Sequence, residues 1–230
     1  MDLRTYGNAP YRALVLHGGP SAPGCAAGLC RGLQTRGVSV LEHLQKGKTA
    51  ALLMKEMLDT LDAHGIETIT VIGHSYGAWL ALLFAAKHPH RVEQTVIIGC
   101  GPLEEKYLPQ LVETRASRKA EGLSDTDNFC ALPNSSNDML YFDMEQHISL
   151  TEEMTALRKS GELLKIALST EGKVTAIHGA YDPHPAEALQ ALAQGASEFE
   201  MHVLEQCGHD PWKERYARET FFEVLVREIE

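Results

Sequence analysis

Cysteine is scarce. There are five (Cys25, Cys30, Cys100, Cys130 and Cys207), an odd number without C-x-x-C spacing. That excludes a dense disulfide framework and a cysteine-built zinc site, and suits a reducing compartment. Long apolar runs are missing too. None approaches the roughly 18 residues that cross a bilayer. The opening stretch MDLRTYGNAPYRALVLHGG has no long apolar core and predicts no secretory signal. Basic residues are in deficit, 21 Lys and Arg against 31 Asp and Glu, for a net charge of −10. Such a surface repels phosphate backbones and excludes nucleic acid as a natural partner. Repeats and low-complexity segments are absent. The expectation is a cytoplasmic protein with a small-molecule partner and no membrane partner; nothing in the sequence indicates an oligomeric state.

What is present is an ordinary globular composition, 44% hydrophobic and 23% charged over 230 residues. This suits one domain over 1–230 better than two small ones. Apolar runs with β-branched residues alternate with helical patterns. RALVLHG, VSVLEHL, TITVIG, RVEQTVIIGCG, KVTAIHG and EFEMHVLEQCG read as six strands. Between them, TAALLMKEMLDTLDAHG places Leu53, Met57 and Leu61 on one helical stripe, with Leu58 beside it and Gly65 as the stop. YGAWLALLFAAKHP is a strongly apolar helix ended before Pro89. Strands that are apolar throughout are buried on both faces, so the fold class is α/β with a mostly parallel six-stranded sheet and helices on both faces. From Pro102 to about Gly172 the alternation stops and helical text takes over, with capping-box starts at Ser124–Asp127 and Ser149–Glu152.

In open parallel sheets, functional groups collect beyond the C-terminal strand ends. Here those ends read HGGPSAPG, GHSYG, HGAYDPHP and CGHDPW. Gly73-His74-Ser75-Tyr76-Gly77 is a G-x-S-x-G elbow between a strand and a helix, a turn that exposes the serine. A serine hydroxyl is a weak nucleophile and needs a base and an orienting acid. Asp182 and His209 follow on later strand ends, in the order that a Ser-Asp-His triad requires. Ser75 is then the nucleophile and His209 the general base, with Asp182 holding the imidazole tautomer. Asp210 and Glu145 are competing acids; Asp210 adjoins the histidine and would struggle to reach the ring's far nitrogen. The oxyanion donors are expected at the backbone N–H of Tyr76 and of Gly19.

With these motifs in hand, the chain resembles the α/β-hydrolase superfamily, and HGGP resembles its proline-iminopeptidase-like branch. LVLHGGP, VIGHSYGAWLALLFAAKHPHRV, IHGAYDPHP and CGHDPWKE fall in family order across nearly the whole chain. The resemblance implies an eight-stranded sheet, of which this sequence lacks the first two strands. It also implies that 103–170 is a helical cap inserted after the fourth strand, and that Ser75, Asp182 and His209 occupy the triad positions. After the second strand the branch continues with an acidic, Arg-Gly-containing turn. This chain has EHLQKGKT, which argues against carrying over peptidase activity.

The expected activity is cleavage of an ester or amide of a small substrate through an acyl-enzyme, with no cofactor and no metal. Alternatives are an iminopeptidase-like aminopeptidase, acyl transfer to another acceptor, and a non-catalytic ligand-binding protein on the same fold. His17, His74 and His178 read as packing residues and His184 as a loop residue. His88 and His90 have no evident third ligand. Glu104 and Glu105 read as first-turn helix acids; the alternative, implied by the resemblance to aminopeptidases of this branch, is that these cap acids hold a substrate's α-ammonium. Tyr107, Phe129, Tyr141 and Phe142 are candidates for a pocket wall or for packing under the cap.

Overall fold

The computed structural model describes residues 3–123 and 138–229. Seven strands form one sheet: β1 (Leu3–Tyr6), β2 (Ala13–Leu16), β3 (Val40–His43), β4 (Ile69–His74), β5 (Val92–Ile98), β6 (Lys173–Gly179) and β7 (Glu198–Leu204). Their spatial order is β1-β3-β2-β4-β5-β6-β7. All neighbours run parallel except β1, which pairs antiparallel with β3 from Leu3↔His43 to Tyr6↔Val40. The six expected strands are present, and the sheet carries one more. It is therefore one strand short of the eight that the resemblance implies, not two. The extra strand, LRTY, is short, only half buried and at the sheet edge, so it lacks the apolar run that marks the others.

The sheet is covered on both faces because its strands alternate between two cores. Leu14, Leu16, Ile69, Val71 and Ile97 face one side, where α2 (Ala50–Ala63) and α3 (Tyr76–Lys87) pack. Ala13, Val15, Ile72, Val96 and Ile98 face the other, against α1 (Ala27–Gln34) and α8 (Arg218–Ile229). The period of two along each strand produces this split. The stripe Leu53, Met57 and Leu61 of α2 is buried as its spacing predicts. Thr49 caps this helix, its Oγ1 accepting the Leu52 N–H at 3.2 Å, and Gly65 ends it at φ +62°. Helix α3 shows no polar face because both its sides are covered; nine of its residues are buried. On the opposite face, Phe221 and Phe222 are fully buried, each contributing about 1.5–3 kcal/mol. There, a Cβ on Gly32 would lie 1.9 Å from the Phe222 ring, so that glycine sets how closely α1 and α8 approach.

Among the described residues, the segment between β5 and β6 contains no strand. It carries α4 (Leu108–Ala120), α5 (Met144–Lys159) and α6 (Glu162–Leu168). The expected start at Ser124–Asp127, the stop at Pro133 and Phe129 lie outside the described residues. The start expected at Ser149 is displaced: α5 begins at Met144, with Asp143 Oδ1 accepting the Gln146 N–H at 3.1 Å. Ser149 is inside the helix and donates to the Lys48 carbonyl at 2.7 Å. Gln146 Nε2 donates to the carbonyls of Gln45 (2.7 Å) and Gly47 (2.9 Å). These bonds tie α5 to the loop after β3. Helix α6 packs on α3 through the buried Leu163 and Ala167, completing that face. Helix α7 (Gln190–Gly195) connects β6 to β7. From β2 the chain moves to β3 on one side and returns to β4 on the other. The crevice at this switch in strand order is where open sheets place their sites.

Candidate active site

Ser75 sits between β4 and α3 at φ 54° and ψ −113°, outside the regions that a non-glycine residue ordinarily occupies. Such a conformation costs on the order of 1–3 kcal/mol and persists only where its surroundings over-determine it. Those surroundings are visible. The Ser75 N–H donates to the Ile98 carbonyl at 2.9 Å, and the Ser75 carbonyl accepts the Ala78 N–H at 3.0 Å. A Cβ on Gly73 would lie 2.1 Å from the Gly77 carbonyl oxygen, and one on Gly77 would lie 2.5 Å from the Leu16 carbonyl oxygen. Gly73 therefore leaves room for the next turn of the elbow itself, and Gly77 for the adjoining strand β2.

Asp182 follows β6 in a tight turn, its N–H donating to the Gly179 carbonyl at 3.0 Å. The carboxylate is buried and holds two imidazoles. His209 Nδ1 donates to Oδ2 at 2.8 Å. His184 donates to Oδ1 twice, from Nδ1 at 2.7 Å and from its backbone N–H at 2.9 Å. Burial works to raise the Asp182 pKa, but the two imidazoles outweigh it and hold the carboxyl well below its usual range. Burial likewise works to lower the His209 pKa, and the attraction of Asp182 reverses it, so the ring titrates above 6.5. The pair passes over the end of β5 where Gly99, at φ +53°, leaves room. A Cβ there would lie 3.0 Å from His209 Nδ1 and 3.1 Å from Asp182 Oδ2.

The competing acids point elsewhere. Asp210 Oδ1 lies 3.2 Å from His74 Nε2, and its Oδ2 accepts from Lys213 Nζ at 2.8 Å. Glu145 pairs with Lys48 at 2.6 Å on the surface. His74 is more than packing. Its Nε2 contacts the His209 carbonyl at 3.0 Å, and its ring centroid lies 4.7 Å from both the His209 and Trp212 rings. It joins the elbow to the histidine loop. Burial, followed by the charge of His209, lowers its pKa to about 4, which keeps it neutral. His17 is also buried, with its pKa lowered to about 4 by that burial.

Ser75, Gly19 and Tyr76 border one cavity of about 270 Å³ at the switch crevice. Gly19 adopts φ +59° in the HGGP turn, whose carbonyl accepts the Ala22 N–H at 3.2 Å. Trp79, Leu108 and Leu111 form an apolar wall; Arg115, Arg158 and His184 form the polar one. Arg158 Nε donates to Glu105 Oε1 at 2.7 Å. Glu104 pairs with Lys106 at 2.9 Å, and neither glutamate borders the cavity. Tyr107, Tyr141 and Phe142 do not border it either, the last two being exposed. His184 is a lining residue that the sequence pattern missed, as are Trp79, Arg115 and Arg158. The available signal for His184 was its position two residues after Asp182, where one carboxylate can reach its own neighbour's ring.

Two clusters among the described residues contain metal-binding side-chain types: Asp182, His184 and His209, and Glu200, His202 and Glu228. In the first, each ring nitrogen facing Asp182 meets a separate oxygen at hydrogen-bond distance, which is an arrangement of two imidazole–carboxylate pairs. In the second, Lys173 Nζ lies 2.9 Å from Glu200 and 2.6 Å from Glu228 and supplies the cation. No helix among the described residues is long and apolar enough to cross a membrane.

The model of the alpha/beta hydrolase family matches residues 2–221. A 2-hydroxymuconate semialdehyde hydrolase of Pseudomonas putida is 30% identical over an alignment of 247 residues, covering 90% of this chain and 85% of that protein. Among solved structures, the enol-lactonase of Burkholderia xenovorans LB400 superposes with a TM-score of 0.70 at 19% identity, over 98% of this chain and 94% of that one. The proline iminopeptidase of Mycobacterium smegmatis gives the same score at 15% identity, over 99% and 93%. At these identities the two structures speak for the fold alone.

Proposed function

The chain belongs to the alpha/beta hydrolase family and is a hydrolase on that fold; on that premise we propose that it is a serine hydrolase with a Ser75–His209–Asp182 triad. Its substrate is a small ester or amide, cleaved through an acyl-enzyme beneath a helical cap over 103–170. The observation that carries this reading is the buried Asp182 bonded to His209 Nδ1 at 2.8 Å, beside an elbow that holds Ser75 at φ 54°.

His209 donates its Nδ1 proton to Asp182, so Nε2 carries the lone pair that a general base needs. In this reading Ser75 Oγ attacks the carbonyl carbon and its proton passes to Nε2. The imidazolium formed is stabilised by the Asp182 charge. The tetrahedral oxyanion takes hydrogen bonds from the backbone N–H groups of Tyr76 and Gly19; each such donor is worth about 10²–10³ in rate. The proton then passes to the leaving oxygen or nitrogen and the bond breaks. Water, deprotonated by His209, attacks the acyl-enzyme and releases the acid and free Ser75.

The wall of the cavity supports a neutral or anionic substrate over an N-terminal amine. Two guanidiniums border it, that of Arg158 shared with Glu105, and no carboxylate does, among the described residues. An α-ammonium would meet repulsion there, which speaks against aminopeptidase action. A second reading takes its substrate class from the relative's name: a carboxylate such as 2-hydroxymuconate semialdehyde would be attracted by Arg115 and Arg158. The test is labelling by a fluorophosphonate probe. Wild-type protein reacts and folded Ser75→Ala does not; equal labelling of both would remove Ser75 as nucleophile. Turnover of short acyl esters against a proline anilide separates ester hydrolysis from peptidase action.

A further inference from the structure

Asp182 carries two imidazoles, and the proposed triad uses one. We propose that His184 is a substrate-binding residue, its Nε2 accepting a hydrogen bond from an O–H or N–H group placed near the scissile carbonyl. The preferred substrates then bear a hydroxyl or amide donor at that point. The proposal rests on Ser75 as the nucleophile, because the cavity bordering Ser75 defines what the His184 ring meets.

The tautomer follows from the hydrogen bonds. An ionised carboxylate has no proton to give, so the 2.7 Å contact to Asp182 Oδ1 takes its proton from His184 Nδ1. The neutral ring then carries its lone pair on Nε2, which takes no hydrogen bond from any described residue. The ring is kept neutral by its place. Burial pushes its pKa down, the bond to Asp182 pushes back, and His209 and Arg115 push down again, the net direction being downward. The backbone is held as well, since the His184 carbonyl meets His178 Nε2 at 2.7 Å.

Location gives the acceptor its use. His184 borders the same cavity as Ser75, Gly19 and Tyr76, and its ring centroid lies 4.9 Å from that of His209. Among the described side chains lining the cavity, the guanidiniums of Arg115 and Arg158 and the indole of Trp79 only donate, and the hydroxyls of Ser75, Tyr76, Thr151 and Thr155 can do either. His184 Nε2 is the pure acceptor. A substrate lacking a donor leaves it unpaired in a partly dry site, which is how such sites reject the wrong analogue.

The test uses two ester pairs: 4-nitrophenyl 3-hydroxybutyrate against 4-nitrophenyl butyrate, and 2-hydroxyethyl butyrate against ethyl butyrate. The first places the hydroxyl on the acyl side, the second on the leaving group. Wild-type protein should favour the hydroxylated member of one pair by about fivefold or more in kcat/KM. In His184→Asn, the amide can still donate to Asp182 but reaches no further, and the ratio should fall to about one. A ratio near one in the wild type for both pairs, or an unchanged ratio in His184→Asn, overturns the proposal. A second measurement stands apart from turnover. Long-range ¹H–¹⁵N spectra of Ser75→Ala should show His184 Nε2 as an unprotonated nitrogen that moves with ethyl 3-hydroxybutyrate and not with ethyl butyrate. A protonated Nε2, or no movement, overturns the assignment even if the protein cleaves no ester. Failure of all four esters with positive spectra counts against Ser75 alone.

Discussion

Replacing Asp182 by Asn removes one charge and one acceptor, and the surrounding hydrogen bonds dictate how the amide must sit. Oδ1 accepts two N–H groups from His184, one of them from the backbone at 2.9 Å. A backbone N–H cannot become an acceptor, so the asparagine oxygen must face His184. Its NH₂ then faces His209 Nδ1, where the carboxylate Oδ2 had accepted at 2.8 Å. Two donors cannot share that contact. His209 must shift its proton to Nε2, the nitrogen that has to be free to take the serine proton. Catalysis is lost through the wrong tautomer while the packing stays nearly unchanged. For a triad of this kind the loss is about 10³–10⁴ in kcat, or roughly 4–5.5 kcal/mol of transition-state stabilisation. The assay is kcat and kcat/KM on a short acyl ester, with thermal unfolding as the control for fold and ¹H–¹⁵N spectra for the His209 tautomer. A loss of less than about tenfold in a folded variant would refute the orienting role. Asp210→Asn would then be the next test, since Asp210 reaches His74 rather than His209 in the structure.

Other consequences follow from the same geometry. His209 is needed unprotonated and its pKa is raised above 6.5, so kcat/KM should rise with pH through a midpoint above 6.5. A pH–rate profile with its midpoint at or below 6.5 contradicts the Asp182–His209 coupling, and Asp182→Asn should move the midpoint down. Asp182 itself is held low, so its contribution to stability is present above the ordinary Asp pKa and is lost as pH falls through the folded value. Urea midpoints across acid pH read that loss, which Asp182→Asn should not show. Gly77→Ala should destabilise the fold by about 1–3 kcal/mol, because its Cβ would lie 2.5 Å from the Leu16 carbonyl oxygen and that backbone cannot yield cheaply. An unchanged urea midpoint would mean that the elbow is looser than its contacts imply.

Much of the fold was legible because burial on both faces leaves an unmistakable text. ALVL, TITVIG and TVII are nearly continuous apolar runs, and each forms strand between two cores. LRTY was not legible: an edge strand exposes part of itself, and Leu3 and Tyr6 alone make too weak a pattern. Ser149–Glu152 misled because a serine three residues before a glutamate also occurs inside helices, and Asp143 claimed the cap. The glycines around Ser75 were readable as clearance, though not what they clear. Gly73 makes room for the next turn of its own elbow and Gly77 for the neighbouring strand β2. Gly99 carried no signal at all, since the imidazole and carboxylate it accommodates come from residues 182 and 209, far along the chain.

The sequence by itself determined the strand and helix alternation, the strained serine corner and the order in which an acid and a histidine follow it. These are local: periodicity, turn chemistry and strand ends are written within a few residues. Only the tertiary structure decided which partners meet. It brought Asp182 rather than Asp210 to His209 Nδ1, and turned Asp210 toward His74. It placed guanidiniums rather than carboxylates on the cavity wall and made His184 a second ring on Asp182. Hydrogen bonds a few ångströms long cannot be read from residues separated by tens of positions, because the sheet, through the register of its strands, sets which loop ends converge.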